Sequence, residues 1–83
     1  MIKIEFYSTL GCHLCDDAEE LLNQYQKSSL ADKNTLEIIM IDVARSDDLM
    51  ELYGIRIPVL KRLDNNNELG WPFDLAMLNN FLS

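Results

Sequence analysis

The chain has 83 residues, with 14 acidic against 7 basic residues, a formal net charge of -7 and 48% hydrophobic residues. This composition is that of an ordinary globular protein, so it argues against intrinsic disorder and predicts one acidic domain over residues 1–83. The scattered basic residues argue against binding to nucleic acid or an anionic membrane, and no apolar run approaches the roughly 20 residues of a transmembrane helix.

The first half of the chain predicts a strand, a helix and a second strand. Apolar and polar residues alternate over residues 2–7, which is typical of a strand. From Cys12 the period becomes helical, and one face collects the apolar side chains Leu14, Ala18, Leu21, Leu22 and Tyr25. Polar residues 27–35 form the predicted connection. The apolar, β-branched run 36–41 predicts a strand of a parallel sheet that is covered on both faces.

The second half predicts a short helix and a hairpin. Ser46 can cap a helix that ends at Tyr53. Residues 57–63 and 68–71 are predicted to be two strands, because the turn-forming run 64–67 separates them.

The end of the chain predicts a last helix, which completes the fold. Asp74 can cap this helix, and its apolar side chains repeat at helical spacing over residues 75–82. The order is therefore β-α-β-α-β-β-α, and the right-handed crossover places the first helix over one face of the sheet. The prediction is an α/β fold, with a four-stranded mixed sheet flanked by helices.

The two cysteines lie at the predicted start of the first helix, just past the first strand, where open parallel sheets usually carry their sites. Cysteines at this spacing on a helix have Cα atoms about 5 to 6 Å apart, a distance that a disulfide permits. The unpaired N–H groups and the dipole of the helix favour a thiolate at Cys12. We therefore interpret Cys12 as a nucleophile, and Cys15, shielded in the first turn, as the residue that resolves a mixed disulfide.

Other interpretations of the cysteines stay open. They could form a structural disulfide or a buried thiol pair, hold a metal or an iron–sulfur cluster, or belong to a module that only binds a partner. A closed zinc site is the weakest of these, because 2 Cys and 1 His supply fewer than four ligands. His13 is a candidate for stabilising the Cys12 thiolate when it is cationic, or an exposed residue of little effect.

The cysteine count and the N-terminus predict a compartment. Two cysteines are too few for a secreted disulfide scaffold. Residues 1–6 alternate apolar and charged side chains and lack the apolar core of a signal peptide. We therefore expect a cytoplasmic protein, and we expect it to be a monomer.

Two segments carry a resemblance to a known family. Tyr7-Ser8-Thr9-Leu10-Gly11-Cys12-His13-Leu14-Cys15 resembles the strand, loop and CxxC segment of glutaredoxins, in the thioredoxin-like superfamily. Ile57-Pro58-Val59 is similar to the segment in which a cis-proline opens the third strand of that family. The similarity spans the whole chain. It is greatest to a small bacterial group of glutaredoxin-like proteins, which segments 11–16, 56–60 and 70–74 resemble in combination. It implies a thioredoxin-like fold and dithiol–disulfide exchange by Cys12 and Cys15.

The candidate substrate-binding residues are His13, Arg56, Ile57, Pro58 and Asp74, of which the resemblance implies the segment at Ile57 and Pro58. A cis bond before Pro58 would turn the backbone N–H and carbonyl of Ile57 toward an extended substrate, whereas a trans proline would only start an edge strand. Arg56 is the only cation that we place at the cleft, where it could bind a carboxylate, stabilise Cys12 or stay solvated. Asp74 could accept an amine as well as cap its helix.

The implied partners are a disulfide-containing protein or glutathione, with a reductase as electron donor and no tightly bound cofactor. Glutaredoxins have a basic residue near the CxxC segment and a Gly-Gly pair before the last helix. Here Asp16 and Asp17 follow Cys15, and Gly70 stands alone. These two departures weaken the case for glutathione, which is one candidate co-substrate, and a protein disulfide served by a flavoprotein reductase is the alternative.

Three further side chains have simpler expected roles. Trp71 and Phe73 are expected to pack in the core under the last helix. Glu5 is expected to pair with Lys3 or Lys61, and the alternative for it is a partly buried proton carrier for Cys15.

Overall fold

The computed structural model describes residues 2–27 and 36–82. The elements are β1 (Ile2–Ser8), α1 (His13–Lys27), β2 (Leu36–Asp42), a 3₁₀ helix (Val43–Arg45), α2 (Asp47–Tyr53), β3 (Val59–Arg62), β4 (Glu68–Gly70) and α3 (Leu75–Leu82). The predicted order is confirmed, with the 3₁₀ helix as an addition. Lys27 belongs to α1, and the rest of the predicted connection lies outside the described residues. No helix among the described residues is long and apolar enough to span a membrane.

The strands form one mixed sheet in the order β2-β1-β3-β4. β1 is parallel to β2 and antiparallel to β3, and β3 is antiparallel to β4, as the predicted hairpin requires. Near the carboxyl end of β1, Tyr7 pairs with Val59, the first residue of β3. The segment that precedes β3 therefore lies at the same end of the sheet as the loop that carries Cys12.

The prediction that β2 is covered on both faces is wrong. β2 is an edge strand, and none of its side chains is fully buried. Met40, which pairs with the fully buried Phe6 of β1, is 54% exposed. A continuous apolar run predicts a strand of a parallel sheet, but it does not show whether a second strand lies beyond it.

The sheet has a large core on one face and a small core on the other. Because successive side chains of a strand point to opposite faces, Phe6 and Tyr7 belong to different clusters. The large cluster joins β1 and β3 to the buried sides of α1 and α3. Its buried members are Ile2, Ile4, Phe6, Cys15, Ala18, Leu22, Tyr25, Leu60, Phe73, Leu78 and Leu82. The small cluster, under α2, contains Tyr7, Val43, Tyr53 and Val59.

Both predicted helix caps are present. The hydroxyl of Ser46 accepts a hydrogen bond from the N–H of Leu49 at 3.4 Å, at the start of α2. A carboxylate oxygen of Asp74 accepts one from the N–H of Met77 at 2.9 Å, at the start of α3. Each cap satisfies a backbone donor that the first turn of a helix leaves unpaired.

A buried arginine, which sequence patterns did not predict, joins β3 to α3. Arg62 is 8% exposed and donates to both carboxylate oxygens of Asp64, at 2.9 and 2.6 Å. Its guanidinium also donates to the carbonyl of Phe81 at 2.8 Å. The hydrogen bonds from Arg62 hold the pKa of Asp64 below its usual range. A buried charge that is paired in this way is tolerated, because the partners replace its lost hydration.

Candidate active site

Cys12 and Cys15 form a disulfide, and their Cα atoms are 5.2 Å apart. Cys12 directly precedes α1, and its Sγ atom accepts a hydrogen bond of 3.1 Å from the backbone N–H of Cys15. This N–H is one of the donors that the first turn of a helix cannot use internally. A negative charge on the Cys12 sulfur would therefore be stabilised by a hydrogen bond and by the helix dipole.

The two cysteines differ in exposure. Cys15 is 5% exposed and is part of the large core cluster, whereas Cys12 is half-buried at its margin. His13 and Leu14, which separate them, are exposed. A reagent in solution can therefore reach Cys12 more readily than Cys15.

A glycine shapes the loop that leads to Cys12. Gly11 has a φ of 79°, in the left-handed region that side chains with a Cβ atom rarely adopt. This turn separates the extended end of β1 from the start of α1 and leaves Leu10 exposed beside the cysteines.

A cavity of about 310 Å³ opens beside the cysteines, between α1 and the carboxyl ends of β1 and β2. Its lining includes Cys12 and Cys15, with Arg45 as its basic residue. Its acidic lining residues are Asp16, Glu19 and Asp42. Among the described residues, no group of three or more histidines, cysteines and carboxylates is placed to hold a metal ion.

Sequence patterns did not predict that Arg45 would lie at this cavity. Arg45 ends the 3₁₀ helix that follows β2, and the carboxylate of Asp42 caps that helix by accepting the N–H of Ala44 at 2.9 Å. The carboxyl ends of neighbouring parallel strands meet at one edge of a sheet, so a cation just after β2 comes to lie near Cys12. The position of Arg45 just after a predicted strand is the sequence signal that could have identified it. The expectation that Arg56 is the only cation at the site is therefore wrong, because Arg45 lines the cavity.

Arg56 itself is paired within the chain and does not line the cavity beside the cysteines. Its guanidinium donates to a carboxylate oxygen of Glu68 at 3.0 Å and lies 5.4 Å from the centroid of the Tyr53 ring. A further hydrogen bond of 3.4 Å joins it to the carbonyl of Leu52. The predicted role of Arg56 in substrate binding stays a prediction.

The segment before β3 is only partly available to a substrate strand. The N–H of Ile57 donates to the carbonyl of Tyr53 at 3.0 Å, so the prediction that this N–H faces a substrate is wrong. The carbonyl of Ile57 accepts no backbone hydrogen bond from the residues that the structure describes. The Ile57–Pro58 peptide bond is cis, Pro58 is fully buried, and its carbonyl accepts the N–H of Trp71 at 3.1 Å.

Asp74 caps α3 and does not line the cavity beside the cysteines. Instead, Asp74 lies with Pro72, Phe73 and Met77 around a separate, shallower depression. Phe73 is buried and Trp71 packs against the core, with their ring centroids 5.1 Å apart in an edge-to-face contact. Both aromatic side chains therefore serve the core, as predicted.

The face of the sheet under α2 carries two stacked tyrosines. The rings of Tyr7 and Tyr53 are nearly parallel, with centroids 4.2 Å apart. The Tyr7 hydroxyl donates to Glu5 at 2.8 Å, and the Tyr53 hydroxyl donates to Glu68 at 2.7 Å. Glu5 thus has a hydroxyl as its partner, rather than either of the lysines expected from the sequence.

The environment of these tyrosines favours their neutral forms. Burial, followed by the hydrogen bond to Glu5, raises the pKa of Tyr7 well above its usual value. The hydrogen bond to Glu68, followed by burial, raises the pKa of Tyr53. The same hydrogen bond from Tyr53 lowers the pKa of Glu68, and Arg56 adds to this effect.

The raised pKa of Tyr7 predicts a loss of stability in alkali. An unfolded tyrosine ionises near pH 10, so the stabilisation is complete below about pH 10 and decreases as the pH rises toward the folded pKa. In that range each such tyrosine reduces the free energy of unfolding by about 1.4 kcal/mol per pH unit. Denaturant unfolding of the oxidised protein between pH 9 and 11 should show this decrease, and Tyr7→Phe should reduce its slope. Equal slopes for the two proteins would contradict the assignment.

Comparison with known proteins supports this architecture. A family model described as a glutaredoxin-like domain matches residues 3–83. Protein XcR50 from X. campestris, solved by X-ray crystallography, is 32% identical, with 95% of this chain and 93% of that chain covered and a TM-score of 0.78. Ne2328 from Nitrosomonas europaea, solved by NMR, is 29% identical, with 99% and 92% covered and a TM-score of 0.78.

A more distant comparison concerns the fold alone. Thioredoxin 1 from Thermosipho africanus is 20% identical, with 96% of this chain and 89% of that chain covered and a TM-score of 0.62. A comparison with curated proteins finds no match. The thioredoxin-like fold implied by the sequence is therefore confirmed.

Proposed function

The chain belongs to the family of glutaredoxin-like domains, and we propose from the placement of its cysteines that it is a thiol–disulfide oxidoreductase. The observation that carries the proposal is the hydrogen bond of 3.1 Å from the N–H of Cys15 to the Sγ atom of Cys12, at the start of α1. In the reduced protein this hydrogen bond would stabilise a thiolate on the half-buried Cys12, while Cys15 is buried in the core.

The proposed reaction has two exchange steps. The Cys12 thiolate attacks one sulfur of a substrate disulfide, whose S–S bond breaks as a mixed disulfide forms and the first substrate thiolate leaves. Cys15 then loses its proton and attacks the Cys12 sulfur, which releases the second substrate thiolate and forms the Cys12–Cys15 disulfide. Two electrons pass to the substrate, and its two thiolates take up the two protons that the cysteines lost.

The proposed partners follow from this reaction. The substrate is a disulfide of a protein or of a small thiol, and a reductase or glutathione returns the electrons. The chemistry needs no tightly bound cofactor, because the two sulfur atoms carry both electrons. We propose that the protein works as a monomer in the cytoplasm, where thiols are kept reduced.

Trapping with Cys15→Ser tests the proposal. Reduced Cys15→Ser, treated with bis(2-hydroxyethyl) disulfide, should accumulate a mixed disulfide on Cys12, because nothing resolves it. Mass spectrometry of the intact protein and of its peptides locates the adduct. Cys12→Ser is the matched control, and it should react much more slowly because Cys15 is buried. Equal adduct formation in the two variants would contradict the assigned roles.

A redox titration separates this function from a module that only binds a partner. The wild-type protein is equilibrated at defined ratios of reduced to oxidised dithiothreitol, and its free thiols are counted by alkylation. A reversible two-electron transition supports the oxidoreductase. Absence of any reversible transition would leave the cavity beside the cysteines as a binding surface without exchange chemistry.

A further inference from the structure

Arg56 lies at the end of the sheet that carries the cysteines. It precedes Ile57, which packs against the same core cluster as Cys12. β3, which begins just after this segment, starts opposite Tyr7, near the carboxyl end of β1. The Arg56 side chain is half-exposed, so a substrate that is bound at Cys12 and extends along the segment before β3 could meet its guanidinium if that group were free.

The guanidinium of Arg56 is not free, because it is paired with the carboxylate of Glu68. One of its carboxylate oxygens accepts from Arg56 at 3.0 Å, and the other accepts from the Tyr53 hydroxyl at 2.7 Å. Tyr53 is in turn held by its stacking on Tyr7. The carboxylate is therefore fixed by two donors and offsets the charge of Arg56, and it also stands opposite Lys61 in the β3–β4 pair.

We propose that Glu68 is a specificity-determining residue that withholds Arg56 from substrates and so disfavours disulfides with carboxylates next to the sulfur atoms. The inference rests on the proposed thiol–disulfide exchange. The cavity beside Cys12 also disfavours anions, because its lining carries three carboxylates and one arginine. Neutral and cationic disulfides are therefore the class of substrate that this site accepts best.

Three small disulfides of similar length test the charge preference. Dithiodipropionate is dianionic, bis(2-hydroxyethyl) disulfide is neutral, and cystamine is dicationic. Their leaving thiols differ in intrinsic reactivity, so the rate constant of each variant is divided by that of the wild-type protein for the same disulfide, which gives one ratio per disulfide. The measured quantity is the second-order rate constant for oxidation of the reduced protein at low ionic strength.

Glu68→Gln should free Arg56 while it keeps an oxygen acceptor for Tyr53. The rate constant with dithiodipropionate should rise about fivefold, which corresponds to one exposed ion pair. The rate constant with the neutral disulfide should stay within about twofold, and that with cystamine should fall. The differences should disappear in about 0.5 M salt, because exposed charges are then screened over a few Å.

Two control variants separate the local effect from the effect of net charge. Glu37→Gln changes the net charge equally but acts on β2, where Glu37 pairs with Lys3 at 3.8 Å, and it should leave all three ratios near one. The double variant Glu68→Gln with Arg56→Gln restores the wild-type net charge and should remove the gain. Glu68→Thr is a second variant, suited to an edge strand, in case Glu68→Gln is poorly folded.

The outcomes distinguish this inference from the proposed function. If the wild-type protein does not exchange even with the neutral disulfide, the proposed function fails. If it does exchange, but Glu68→Gln and Glu68→Thr leave the dithiodipropionate ratio unchanged, the role of Glu68 is overturned. An equal rise in Glu37→Gln would also overturn it, because net charge alone would then explain the effect.

Discussion

Cys12→Ser is expected to lower the rate constant for disulfide exchange about a thousandfold. Serine cannot form a disulfide, so the residual reaction must proceed through Cys15, which is 5% exposed. Cys15 packs in the large core cluster, and a reagent can reach it only after local opening of the first turn of α1. An opening free energy of about 4 kcal/mol gives this factor, because each 1.4 kcal/mol is tenfold.

The measurement is the initial rate at which bis(2-hydroxyethyl) disulfide consumes protein thiols, at a fixed pH near 7. The reference is reduced wild-type protein, because Cys12→Ser lacks the disulfide and must not be compared with the oxidised state. Circular dichroism and denaturant unfolding of both proteins show whether the fold is kept. A variant that keeps the fold and more than a tenth of the wild-type rate would remove Cys12 from its proposed role.

The parts of the fold that local patterns specify were predictable. Such patterns depend on residues that are close together in the sequence. The helix after Cys12, the cap at Ser46 and the turn before β4 are examples, and all three are present. The edge position of β2 was not predictable. It depends on which strands pair, and a β-branched run such as 36–41 is compatible with one neighbour or with two.

The same distinction applies to the site. The cysteine pair was predictable, because a spacing of three residues at a helix start brings the two Cα atoms close, and Cys15 lies in the first turn whereas Cys12 precedes it. The ion pair of Arg56 with Glu68 was not predictable, since the two residues are 12 positions apart and meet only through the β3–β4 hairpin. Arg45 likewise comes to the cysteine cavity only through the parallel pairing of β2 with β1.

Phe6 links the stability of the fold to the site. Its side chain is fully buried in the large core cluster, and it also lines the cavity beside Cys12 and Cys15. In the sheet it stands between Met40 of β2 and the fully buried Leu60 of β3. Truncation to alanine would therefore leave a void under the first turn of α1.

Phe6→Ala is expected to reduce the free energy of unfolding by about 3 to 5 kcal/mol. A chain of this length has a total stability of about 4 to 12 kcal/mol, so this loss is a large fraction of the free energy of unfolding. Denaturant unfolding of the oxidised proteins, in which the disulfide is the same, measures the difference. Met40→Ala is the matched control, because it truncates the exposed neighbour in the same register and should cost less than about 1 kcal/mol.

The void should also make Cys15 easier to alkylate in reduced Phe6→Ala, under conditions where that variant is still folded. Equal costs for the two truncations, or an unchanged alkylation rate of Cys15, would show that Phe6 does not support the cysteines from below.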